Sequence, residues 1–141
     1  KTIFSLGDIK FGSVICFESS LPQTMRMMRL KGADLLFVLT NDGWFKRSAA
    51  LDQHFEMAAF RAVENGVTVV QSANTGISGA YLPNGEKLFS SKIEDRVVLK
   101  PDIPIYSIPT IYSKIGDWAI IIFSIISLVP VITAFCNFKR Q

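Results

Sequence analysis

An α/β domain running into one long apolar helix is the fold class this sequence predicts, on three observations. Short apolar runs alternate with helical periodicity from Phe11 to Val70, the order of a parallel sheet with covering helices. Hydrophobic residues make up 49% of the 141 and charged residues 19%, which supplies a core and excludes a disordered chain. The mean hydropathy of +0.31 is raised by one segment, because Trp118 to Phe135 carries no charge and is rich in Ile.

The first strand signal is the apolar run from Phe11 to Ile15. Ser20 is placed to cap a helix with Pro22 in its first turn, and Gly32 stops that helix. Leu35 to Leu39 is unbroken apolar sequence within a strand over 34–40, as expected of a central strand covered on both faces. Leu51, Phe55, Ala58 and Ala62 recur at helical spacing across residues 48–65, with Gly66 as the stop. Residues 67–70 return as a third strand, and the Asn84-Gly85 pair specifies a hairpin between 78–82 and 87–90. Residues 96–99 read as one more strand, after which Pro101, Pro104 and Pro109 keep the chain extended.

A helix over the 18 residues from Trp118 to Phe135 spans roughly 27 Å, close to the hydrocarbon thickness of a bilayer. The alternative is a core helix of a larger assembly. Asp117 and Trp118 mark one expected interface and Lys139 with Arg140 the other, which puts the C-terminus in the cytoplasm and the domain outside. Pro130 is expected to kink the span, with Ser124, Ser127 or Thr133 bonding the backbone groups it disturbs. The expected division is a domain over 1–100, a linker over 101–116, a transmembrane helix over 117–137 and a tail over 138–141.

A net charge of +3, a pI near 9.0 and no Lys/Arg run longer than two give no basis for nucleic-acid binding. Cys16 and Cys136 are the two cysteines, too few for a disulfide framework, and neither CxxC nor HxxxH spacing for a metal occurs. No metal or organic cofactor is implied. The first residue is Lys1, with no signal segment before the first strand, so the chain reads as a cut-down or processed piece.

Cys16 ends the first strand just before the first helix, where a thiol is either a presented nucleophile or a small buried residue. A nearby helix N-terminus stabilises a thiolate, and its amides can receive an oxyanion. Glu18 is a general base, an orienting partner or a solvated carboxylate. His54, the one histidine, lies on the second helix without an acid spaced for a Cys/His arrangement, which favours a structural role. Asn41 to Phe45 follows the central strand's carboxyl end, the edge at which open α/β sheets bind ligands, or is a turn whose aromatics cover the core. Asn74-Thr75-Gly76 follows the third strand in the same way. Arg61 and Glu64 read as an ion pair. Met25, Met27 and Met28 beside Arg26 and Arg29 read as helix packing, or as a face for lipid headgroups.

Five segments in order, residues 12–18 (GSVICFE), 31–36 (KGADLL), 40–45 (TNDGWF), 53–65 (QHFEMAAFRAVEN) and 73–76 (ANTG), resemble the nitrilase (carbon-nitrogen hydrolase) superfamily over about residues 8 to 90. The TNDGWF and QHFEM segments and the trailing apolar helix are similar to its apolipoprotein N-acyltransferase branch, in the C-terminal part. The resemblance implies the C-terminal half of an αββα sandwich followed by one transmembrane helix. It also implies a Glu-Lys-Cys triad, on the extracytoplasmic face of a bacterial inner membrane. Cys16 matches the nucleophile and Glu18 the carboxylate of the Cys-Tyr-Glu signature, whose tyrosine is Phe17 here. The family's base glutamate and its lysine lie upstream of this chain.

The chemistry so implied moves an acyl chain from a phospholipid donor, through a Cys16 thioester, to the N-terminal amine of a lipoprotein. Phe17, Asn41, Trp44, Phe45 and Asn74 are the expected substrate-binding residues, with Trp44 and Phe45 dipping into the interface or covering the acyl chain. The expected partners are the phospholipid, the lipoprotein and the bilayer. The alternatives are a membrane-tethered amidase or nitrilase, in which water resolves the thioester, and an inactive remnant. The isolated 141 residues are expected to be inactive.

Overall fold

The computed structural model of the chain describes residues 2–93 and 95–138, without the side chains of 131 and 134–138. Six strands form one sheet in chain order: β1 (Ile3–Leu6), β2 (Ile9–Ile15), β3 (Leu35–Thr40), β4 (Thr68–Ala73), β5 (Gly79–Tyr81) and β6 (Lys87–Ser90). The three central strands β2, β3 and β4 are parallel, linked by helices α1 (Pro22–Leu30) and α2 (Ala50–Asn65). The outer pairings are antiparallel hairpins.

Strand alternation sorts these residues between two faces. The rungs Gly12-Leu36-Val69 and Val14-Val38-Gln71 face the helices and are buried. Met25 and Met28 of α1 and Phe55, Ala58 and Ala62 of α2 complete that core, consistent with two right-handed crossovers placing both helices on one side. Gly12 lacks a side chain because a Cβ there would stand 2.5 Å from Met28 Sδ. The opposite rungs, Ser13-Phe37-Val70 and Ile15-Leu39-Ser72, are only partly covered, and Leu39 and Ile15 are exposed. β3 is therefore central as its apolar run predicts, but it is not covered on both faces. The sheet and its single helical side form a mixed α/β half-sandwich.

Several expectations are corrected. Ser20 does not cap α1: it lies in a 3-10 turn, Cys16–Ser20, where its hydroxyl bonds the Phe17 carbonyl, and Leu21 takes the N-cap position before Pro22. The first strand begins at Ile9 and pairs with β1, a hairpin turned at Gly7. Residues 96–99 are not a strand. The chain instead returns along the α2–β4 junction, where Ser107 bridges Val67, Ile108 N–H donates to Gly66 O at 2.8 Å and Thr68 Oγ1 to Pro104 O at 2.8 Å.

A short helix α3 (Ile111–Ile115) follows, capped by a reciprocal Thr110/Ser113 pair. It is tied to α1, since Arg26 donates to the carbonyls of Tyr112 and Lys114 and the Gln23 amide meets the Asp117 carboxylate. Beside this joint Arg61 bonds Glu64 at 3.0 Å. Burial lifts the Glu64 carboxyl above its ordinary value, with Arg61 opposing and Asp117 adding to the rise. Burial also raises the Tyr112 phenol, helped by Asp117 and Glu64.

Helix α4 (Trp118–Phe138) contains Pro130 and runs through it. The hydroxyls of Ser124, Ser127 and Thr133 bond the carbonyls of Ile120, Ser124 and Pro130, not that of Ile126, which the proline leaves without its helical donor. Among the described residues no helix is long and apolar enough to cross a membrane. The span expected over 117–137 is therefore not found among the described residues. Lys1, Lys139 and Arg140 lie outside the described residues, as does the expected tail beyond Phe138.

Candidate active site

The carboxyl ends of β2, β3 and β4 lie along one edge of the sheet because the three strands are parallel and in register, so the loops after Ile15, Thr40 and Ala73 gather there. Cys16 leaves β2 with φ +50, one of two non-glycine residues among those described that lie in the left-handed region. That conformation costs a side-chain-bearing residue on the order of 1–3 kcal/mol and persists where surrounding bonds enforce it. The turn it opens is closed by Glu18, whose Oε2 accepts the Ile15 N–H at 3.0 Å, and by Ser19, whose hydroxyl lies 2.9 Å from the Cys16 carbonyl. Cys16 is half-buried, Ser19 buried and Phe17 66% exposed. The thiol position is thus held at the surface edge, not sealed in the core.

The second loop begins with Asn41, exposed, whose Oδ1 accepts the Gly43 N–H at 3.3 Å. Gly43–Phe45 forms a 3-10 turn that leaves Trp44 89% exposed and Phe45 with its ring centroid 6.2 Å from that of His54. Asp42 is wholly buried between the loops, its N–H donating to Thr75 O at 2.9 Å while Asn74 N–H donates to Thr40 O at 2.9 Å. Gly76, at φ +117, is where the third loop passes that carboxylate, and a Cβ there would stand 2.7 Å from Asp42 Oδ2. Asn74 itself is exposed.

His54 joins the first loop to the second, which its position in the sequence did not disclose. It is 5% exposed, with Nδ1 2.9 Å from Asp42 Oδ1 and Nε2 3.0 Å from Ser19 Oγ and 3.3 Å from the Cys16 carbonyl. Ser19, which no sequence signal marked, belongs to the same cluster, as do Asp42 and Thr40, which the sequence marked only as members of the 40–45 segment. Arg61 and Glu64 form their expected ion pair on α2. Among the described residues no group of three or more His, Cys, Asp or Glu side chains is arranged to hold a metal.

An exposed-edge thiol at a left-handed turn, beside free-standing aromatic surface, can present a nucleophile to an apolar substrate. The comparisons with known proteins bear on that chemistry. A family model described as carbon-nitrogen hydrolase matches residues 1–99. The chain is 37% identical over 131 residues to an apolipoprotein N-acyltransferase of Thermotoga maritima, covering 92% of this chain and 26% of that protein. It is 31% identical over 139 residues to one of Chlamydia trachomatis, covering 94% and 26%. It therefore spans about a quarter of the length of these curated relatives. Among solved structures, a Saccharomyces cerevisiae member of branch 10 of the nitrilase superfamily superposes with a TM-score of 0.56 at 22% identity, covering 64% of this chain and 36% of that one.

Proposed function

This chain belongs to the carbon-nitrogen hydrolase family, and from that premise we propose that it is part of an apolipoprotein N-acyltransferase using Cys16 as the acyl-carrying nucleophile. The observation that carries the reading is the Cys16 turn, a half-exposed thiol position fixed in a left-handed conformation at the carboxyl edge of the sheet. The relatives' name supplies the substrate class.

In the proposed reaction the Cys16 thiolate attacks the ester carbonyl of a phospholipid, forming a C–S bond. The tetrahedral oxyanion is received by backbone N–H groups, that of Phe17 among them. The C–O bond then breaks, and the lysophospholipid leaves as an alcohol after gaining a proton. The N-terminal amine of a diacylated lipoprotein next attacks the thioester, a C–N bond forms, the C–S bond breaks, the amine loses a proton and the thiolate returns. Glu18 orients the nucleophile turn through the Ile15 amide. Phe17, Asn41, Trp44, Phe45 and Asn74 line the substrate path in this reading.

A site working on two lipids belongs against a lipid surface, and we place it on the extracytoplasmic face of a bacterial inner membrane. Every side chain from Trp118 to Pro130 is exposed, a mostly apolar surface left uncovered among the described residues. The Gln23–Asp117 contact brings the start of α4 next to the first turn of α1, just beyond the Cys16 turn.

Mass spectrometry of a lipoprotein N-terminus tests the function: cells carrying the complete gene should convert diacyl to triacyl forms, and cells lacking it should not. Fatty acid released as free acid, with the lipoprotein left diacylated, would instead favour a hydrolase. Trp44→Ala tests the lining. Loss of one aromatic contact made with the bound acyl chain, worth about 2 kcal/mol, predicts a roughly 30-fold fall in kcat/KM for acyl transfer. Unchanged kcat/KM would remove Trp44 from the acyl path.

A further inference from the structure

We propose that His54 is a positioning residue for Cys16, held by Asp42 and acting through Ser19 on the backbone carbonyl of the nucleophile. The inference rests on the reading of Cys16 as the acyl-carrying thiol. Three parts of the fold form the cluster behind that carbonyl: the end of β3 and the loop after it supply Thr40 and Asp42, α2 supplies His54, and the 3-10 turn supplies Ser19. Thr40 Oγ1 donates to Asp42 Oδ1 at 2.6 Å, and His54 Nδ1–H donates to the same oxygen at 2.9 Å. A carboxylate with no solvent exposure is held in place by such donors, and it fixes the ring's orientation and places the Nδ1 proton.

The other edge of the ring meets the nucleophile turn. The Ser19 hydroxyl donates to the Cys16 carbonyl at 2.9 Å, and Nε2 packs against both partners, 3.0 Å from Ser19 Oγ and 3.3 Å from that carbonyl. Turning the Cys16 peptide back to an ordinary negative φ would swing this carbonyl away from both groups. The chain from Asp42 to Ser19 therefore selects the left-handed conformation at Cys16 that sets where the sulfur points. His54 touches Cys16 through its carbonyl, which is why it is a positioning and not a catalytic residue.

The test uses the protein expressed from its complete gene. Three quantities are measured: iodoacetamide alkylation of the Cys16 peptide by mass spectrometry, kcat and KM for acyl transfer, and the melting temperature. His54→Ala should slow Cys16 alkylation about 10-fold and lower kcat about 30-fold, with KM within twofold of wild type. Ser19→Ala should move both rates in the same direction, and His54→Gln, which keeps a hydrogen-bonding group toward Ser19, should recover at least threefold over His54→Ala. If His54→Ala fails to fold, Ser19→Ala and His54→Gln are compared with wild type by the same rates. The proposal is overturned if His54→Ala, or Ser19→Ala where His54→Ala does not fold, leaves alkylation and kcat within twofold of wild type while lowering only the melting temperature. A Cys16→Ala protein that still transfers acyl chains would overturn the nucleophile reading instead, independently of the alkylation rates.

Discussion

Replacing Cys16 by serine or alanine is expected to lower acyl transfer at least about 10³-fold while the protein stays folded. The expectation follows from covalent chemistry: a serine hydroxyl in the same place needs a strong base to become a nucleophile, and alanine offers none. Cys16 is half-buried and contributes no buried core side chain, so the change in melting temperature should stay within about 3 °C. Turnover of a diacylated lipopeptide, measured alongside thermal unfolding, checks both halves. Activity within tenfold of wild type in Cys16→Ala would remove the thiol from the mechanism.

Gly66→Ala is expected to be the most damaging single-methyl change to the fold, costing about 2–4 kcal/mol and lowering the melting temperature by roughly 6–12 °C. Gly66 closes α2 at φ +64, a left-handed C-cap that favours glycine. A Cβ there would stand 1.9 Å from the backbone oxygen of Ile108, in the returning segment that bonds Gly66 O and bridges Val67. Backbone cannot rotate out of the way as a side chain can, so the segment must lift off the α2–β4 junction. Calorimetry of the variant checks this, and a melting temperature within 2 °C of wild type would show that the segment is not held there.

The parts of the fold legible in the sequence were those with a long, uninterrupted signal. α2 is declared by Leu51, Phe55, Ala58 and Ala62 and closed by Gly66, and all four are buried, although His54, Arg61 and Asn65, which that spacing does not select, are buried with them. β3 is declared by its apolar run, although Leu39 shows that the same run extends onto an uncovered face. β1 escaped because four residues are too few for alternation to register. α3 escaped because five residues between Pro109 and Gly116 read as connection, its cap using Ser113 where a capping box usually has Glu or Gln. At Ser20 the local signal misled: the hydroxyl turned back to Phe17, inside the turn that Glu18 closes.

The site was half legible for a similar reason. Cys16, Glu18 and the loops after β3 and β4 are placed by chain order alone, since parallel strands deliver their carboxyl ends to one edge. The acid partner of His54 was not visible, because Asp42 is on another element and neither residue is near Cys16 in sequence. Only the fold brings Asp42, His54 and Ser19 into one chain of contacts.

Trapping the acyl-enzyme tests the central claim most directly. The protein from its complete gene, incubated with phospholipid and no lipoprotein and then quenched in acid, should carry one acyl chain on the Cys16 peptide. That mass should be removed by hydroxylamine and by added diacylated lipopeptide. A Cys16 peptide of unmodified mass under conditions where acyl transfer proceeds, or an acyl chain found on a different residue, would contradict it.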